Sequence, residues 1–260
     1  MISDGLVEVL RSLRTGSGVD PAETSTRVLG VGGVTVSLLA GDERMSALPA
    51  GDDRMSEPLW SFPELSARYE ELQFTLGEGP GPDAVRSGVP VLEPDLQRVR
   101  PDRWPALLPA ALDLGVHGVC CFPLALGAVR LGVLTLLCDA TRRLSARQCA
   151  DANTLATVLT SMALNGGRPA APGRTDNVNG EGAMTLQGAP ERLYRAVVHQ
   201  ATGMISGQLG VPVKEALVRL RAFAYRSEQP VSDVATDVVA RRLRFDDDMG
   251  GPSSPDGGEG

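Results

Sequence analysis

The sequence predicts an α+β domain, an antiparallel sheet flanked by helices, followed by a small all-α bundle of three helices. Three observations carry this. Short apolar runs with β-branched residues alternate with helical patterns over residues 1–165. Residues 166–190 hold nine Gly or Pro among 25 positions, with Val178, Met184 and Leu186 as their only large apolar side chains. Residues 191–245 then show three successive apolar stripes at helical spacing. A segment as poor in apolar surface as 166–190 cannot bury enough to fold, so it reads as a flexible linker. The acidic Gly/Pro/Ser stretch at 246–260 reads as a disordered tail.

Residues 2–13 and 22–29 carry helical patterns, and 33–39 alternate as a strand that ends at the Gly41-Asp42 turn. Residues 45–49 are the expected hairpin partner of that strand, 62–72 a helix, and 77–82 a tight loop stiffened by proline. Val89-Pro90-Val91-Leu92 reads as an edge strand, because Pro90 cannot donate to a ladder. Residues 118–138 contain Arg130 as their only charge and are long enough to span a bilayer. An arginine in such a span costs ~2.5 to 3.5 kcal/mol, however, and Gly127-Ala128 splits the run, so it reads as a buried strand hairpin. A last helix is expected from Ser145, with Gln148 completing a capping box and an apolar stripe through Cys149, Ala152, Leu155, Ala156, Leu159, Met162 and Ala163.

Composition bounds the chemistry. The 260 residues include 25 basic and 32 acidic side chains, a net charge of -7. With 42% hydrophobic residues the chain is not disordered throughout, and the overall charge argues against a uniformly basic nucleic-acid binder. The N-terminus lacks a basic region leading into an apolar core, so a cytoplasmic location is expected. Cys120, Cys121, Cys138 and Cys149 show no CxxC spacing and read as small buried hydrophobes. The two histidines, His117 and His199, lie far apart with no partner acid or nucleophile, so neither a His-dependent hydrolase nor a multi-His metal site is expected; with no nucleophile and base visible for one pocket, no enzyme is expected. No cofactor is expected either.

The series 72–80 (LQFTLGEGP), 83–88 (DAVRSG) and 89–91 (VPV), with Phe122-Pro123-Leu124 and Leu131-Gly132-Val133-Leu134, resembles the GAF domains of bacterial regulators over most of residues 20–165. The resemblance implies a sensor domain that binds a small molecule or serves as a dimerisation module. Cyclic-nucleotide and bilin signatures are missing from the text, and the glycine-rich 77–82 lacks the endings of phosphate-binding loops.

In the bundle, Leu193, Val197, Ala201, Met204, Ile205 and Gln208 are expected on one side of the first helix, with Arg192, Arg195, His199, Thr202 and Ser206 on the other. The second helix is expected to bury Val213, Ala216, Leu217, Leu220, Phe223 and Ala224, leaving Lys214, Arg221 and Tyr225 as one stripe and Arg219 with Arg226 as another. The third buries Val231, Val234, Ala235, Val238 and Val239 and closes on Arg241, Arg242 and Arg244, favourable for the helix dipole. Nine basic against five acidic residues give this segment +4, while residues 1–190 carry -6 and the tail -5. The acidic total therefore conceals a basic module.

The pattern Ala201-Thr202-Gly203-Met204-Ile205, then Ala216, Leu220-Arg221 and Ala224, then Val234-Ala235, resembles the ANTAR domain, the three-helix RNA-binding module of bacterial antiterminators. The resemblance implies binding to tandem RNA hairpins in transcript leaders, with a homodimer presenting two bundles. Many members have Lys where this chain has Thr202. Loop bases are read by hydrogen bonds and aromatic stacking while Arg anchors phosphates, so the expected contacts are Arg221 first, then Arg195, His199, Thr202, Arg219 and Arg226, with Tyr225 either a stacking surface or a partly packed surface ring. The rival reading is a DNA-binding helix-turn-helix, since only Ser227 to Gln229 join the second and third helices.

Overall fold

In the computed structural model, which describes residues 4–15, 20–39, 56–138, 143–164, 190–246 and 252–253, the apolar run at 118–138 is a hairpin of β4 (Gly118–Leu126) and β5 (Val129–Cys138). It turns at Gly127, whose φ of 59° suits a residue without a Cβ. Strand β1 (Gly33–Leu39) pairs antiparallel with β5, and β3 (Val91–Glu93) with β4. The chain divides into two units, Met1–Gly188 and Ala189–Gly260.

Three expectations for the first unit need correction. Residues 45–49 lie outside the described residues, and the outer partner of β1 is β2 (Ser56–Phe62), giving a sheet of order β2-β1-β5-β4-β3. Pro58 sits in β2, at the edge of the sheet, where a missing N–H leaves no ladder bond unmade on the open side. The helix expected from Phe62 is α3 (Glu64–Leu76), since Phe62 still belongs to β2. The glycine-rich 77–82 is not a loop over the sheet but the junction of two helices. Gly77 ends α3 at φ 69°, and Pro80 opens α4 (Pro80–Ser87) at a position that needs no N–H. Helix α5 (Leu107–Asp113) gave no periodic signal of its own; Glu78 Oε1 starts it by accepting from the backbone N–H of both Ala106 and Leu107 at 2.8 Å.

Alternation along the strands builds two cores. Helices α1 (Asp4–Thr15), α2 (Pro21–Leu29) and α6 (Ala146–Leu164) cover one sheet face, where Leu6, Leu29, Leu155 and Leu159 meet Val34, Val36, Cys120 and Leu134. On the other face Tyr69, Ala84 and Leu107 meet Val119, Cys121 and Val133. The adjacent Cys120 and Cys121 thus enter opposite cores, as the period of two requires. Ser145 and Gln148 form the expected capping box, with Ser145 N donating to Gln148 Oε1 at 2.9 Å and Gln148 N to Ser145 Oγ at 3.2 Å. Gln148 Nε2 also donates to Leu29 O at 2.7 Å, fastening α6 to the end of α2.

The α3-facing core is more polar than the sequence suggested. Thr35 and Ser37 point to this side, and their hydroxyls donate to Ser66 O (3.2 Å) and Glu70 Oε1 (2.6 Å), while Gln73 Oε1 accepts from Gly81 N (2.8 Å). Burial pushes the Tyr69 phenol and the Cys121 thiol well above their usual ranges.

The second unit is α7 (Pro190–Leu209), α8 (Val213–Arg226) and α9 (Val231–Val239), with two short strands, β6 (Arg244–Phe245) and β7 (Pro252–Ser253). Its core comprises Val198, Ala201, Ile205, Leu209, Ala216, Leu217, Leu220, Ala224, Val231, Val234, Ala235, Val238 and Phe245. Strand β7 pairs antiparallel with β6. Among the described residues no helix is long and apolar enough to cross a membrane.

Candidate nucleic-acid interface

Helix α8 turns Ala216, Leu217, Leu220 and Ala224 into the bundle, which leaves Lys214, Val218, Ala222 and Tyr225 on the outside and Arg219, Arg221 and Phe223 half-buried at the flanks. Val213, expected inside, is exposed because it is the first helical residue, at the rim of the bundle.

Each expected contact residue on α8 can be placed. The Tyr225 ring is 66% exposed, one turn after Arg221, which puts a flat surface and a guanidinium on one stretch of helix. Arg219 donates to Glu215 Oε1 through Nη2 at 2.6 Å and Nε at 3.2 Å. Both side chains are substantially exposed, so this i,i+4 pair is worth only about 0.5 kcal/mol and opens readily to a phosphate. The Arg226 guanidinium lies over the Phe223 ring, 5.5 Å from its centroid, a contact that orients the charge while leaving the residue exposed. Arginine is suited to such a surface because its fork matches phosphate oxygens in pairs.

On α7 the placement differs from expectation. His199 is half-buried, and the side chain of Arg195 lies outside the described residues. Thr202 is fully buried, its hydroxyl donating to Val198 O at 2.6 Å. It faces the core with Ala201 and Ile205, not the outer face expected for an RNA contact. The inward stripe runs through Val198, Ala201, Thr202, Ile205 and Leu209, rotated from the Val197-Met204-Gln208 side, because a threonine whose hydroxyl bonds the carbonyl one turn back behaves as an apolar residue.

Beyond α9, Arg242 pairs with Asp237 at 2.6 Å and Arg244 with Asp246 at 3.5 Å. Among the described residues no group of three His, Cys, Asp or Glu is placed to hold a metal ion.

The ANTAR domain family matches residues 191–239, which are the three helices of this bundle. No curated protein matches the sequence. Among solved structures, the GAF domain of an Acinetobacter phosphoenolpyruvate-protein phosphotransferase is similar at 14% identity and a TM-score of 0.45, with 62% of this chain and 92% of that one covered. The GAF domain of a phosphoenolpyruvate-protein phosphotransferase from Coxiella burnetii gives 14% identity and a TM-score of 0.40, with coverage of 63% and 96%. Residues 191–239 thus match the ANTAR domain family, and in sequence they follow a domain built of a five-stranded antiparallel sheet with flanking helices.

Proposed function

We propose that this protein is a cytoplasmic, signal-responsive regulator that binds RNA hairpins in nascent transcripts and promotes transcription antitermination. One observation carries the reading: the residues that match the ANTAR family fold into a bundle of three helices, within a segment 191–245 of net charge +4, and its helix α8 presents Arg219, Arg221, Tyr225 and Arg226 outside the core. In such a complex the guanidinium groups hold phosphates and fix register, while the Tyr225 ring offers an unpaired loop base a surface to stack on.

The sheet domain serves as the sensor in this scheme, responding to a small molecule, and a homodimer presents two bundles to two hairpins. The acidic residues of 246–260 weaken nonspecific binding by competing for the arginines. Crosslinking the intact protein to RNA in cells and sequencing the bound RNA tests the reading. Reads should concentrate on paired hairpins upstream of coding sequence. Recovery of duplex DNA in place of RNA would favour a DNA-binding regulator.

A further inference from the structure

Helices in this chain usually stop on a glycine in the left-handed region: Gly30, Gly77, Gly88 and Gly210 follow α2, α3, α4 and α7 with φ of 62°, 69°, 71° and 64°. Glycine is favoured there because any Cβ crowds the neighbouring carbonyl. The last two helices of the bundle depart from this habit, and Glu228 stands at φ 53° just after α8. Arg241 occupies the left-handed position after α9 at φ 60°. The turn is otherwise tied by its backbone, with Arg241 N donating to Val238 O at 3.0 Å and Arg242 N and Leu243 N to Asp237 O at 2.8 and 3.1 Å.

Among the described residues, the side chain held at that cost has no partner. Arg219 is paired with Glu215, Arg242 with Asp237 and Arg244 with Asp246, and His199, Lys214, Arg221 and Arg226 each make an interaction of their own. Arg241 is exposed, and its guanidinium makes no ion pair or hydrogen bond to another described residue. A cation at a helix C-terminus is favourable, but Arg242 already supplies one there.

We infer that Arg241 is a phosphate anchor, which extends the RNA-binding surface past the end of α9 and beyond the residues that match the ANTAR family. The ligand group is a backbone phosphodiester, and the inference rests on the RNA-binding reading. Phosphate is the fitting partner because an unpaired, always-charged fork binds it in two places and gains from the counterions released.

The test uses the full chain with Arg241→Gly and Arg241→Lys, a tandem-hairpin leader RNA and, as a polyanion that carries no sequence, immobilised heparin. Arg241→Gly relieves the backbone, so its melting temperature should be no lower than that of the parent. Its affinity for RNA should nevertheless fall about fivefold at low salt, with the slope of log Kd against log salt reduced by about one. Arg241→Lys should recover most of the affinity, and Arg241→Gly should leave heparin at lower salt. Unchanged RNA affinity and unchanged heparin elution in Arg241→Gly would overturn the anchor. If no form binds RNA but the glycine variant still elutes early, the RNA reading fails while the anion site stands.

Discussion

Phe245 packs edge-on against Phe223, with ring centroids 5.8 Å apart and planes at 76°, and its backbone N–H donates to Gln208 Oε1 at 3.1 Å. Six residues past the end of the family match, the chain therefore folds back and seals the bundle beside the helix that carries the basic face. Phe245→Ala is expected to destabilise the bundle by about 3 kcal/mol, the usual range for emptying a buried aromatic site. Hydrogen exchange of the α8 amides checks this, and protection equal to that of the parent would show that the bundle is complete without the ring.

Gln148 joins two jobs in one side chain, capping α6 through Ser145 and holding Leu29 O at 2.7 Å. Gln148→Ala is expected to cost about 1 to 2 kcal/mol, the sum of a weakened cap and a lost hydrogen bond. Denaturant unfolding followed by tryptophan fluorescence reads the first unit selectively, because Trp60 and Trp104 are the only tryptophans and both lie in it.

The same fluorescence reports on alkaline pH. Tyr69 and Cys121 are pushed above their ordinary values of 10.0 and 9.0, chiefly by burial. Both remain protonated in the folded unit, so their contribution is intact below about pH 9 and is lost as the unfolded chain ionises above it. Each group removes up to about 1.4 kcal/mol per pH unit in that window. The denaturant midpoint should fall between about pH 9 and 11, and Cys121→Ser should flatten part of the fall. A midpoint independent of pH over this range would contradict the assignment.

Gly203 and Gly207 stand inside α7, and a Cβ added at either meets nothing within 4 Å. Gly207→Ala should stabilise the bundle by roughly 0.5 to 1 kcal/mol by restricting the unfolded chain. Calorimetry of the variant checks this, and destabilisation would reveal a neighbour at that face.

Legibility in the sequence varied with the kind of signal. Strand β1 and the hairpin of β4 and β5 stood out because β-branched alternation and a single Gly-containing turn leave little choice of register. Strand β2, with Ser56, Glu57 and Pro58, offers no such alternation, and its place is settled only by pairing with β1. Glu78, which starts α5 from 28 residues away, illustrates a long-range cap that no local pattern reveals. At the candidate interface, periodicity found the helices and the α8 stripes but misjudged the rotation of α7. Polarity ranked Thr202 with the outer face, whereas its i−4 hydrogen bond lets it enter the core. The packing of Phe245 has no local signal, because its partner, Phe223, lies 22 residues back.

The central claim is most directly tested by measuring binding of the intact protein and its Arg221→Ala variant to a tandem-hairpin leader RNA over a salt series, with duplex DNA of equal length at matched salt. RNA should bind tighter than DNA, weaken steeply with salt, and lose about 1 to 3 kcal/mol of binding free energy on removal of Arg221. Equal affinity for RNA and DNA, or an Arg221→Ala variant that binds hairpin RNA as the parent does, would contradict it.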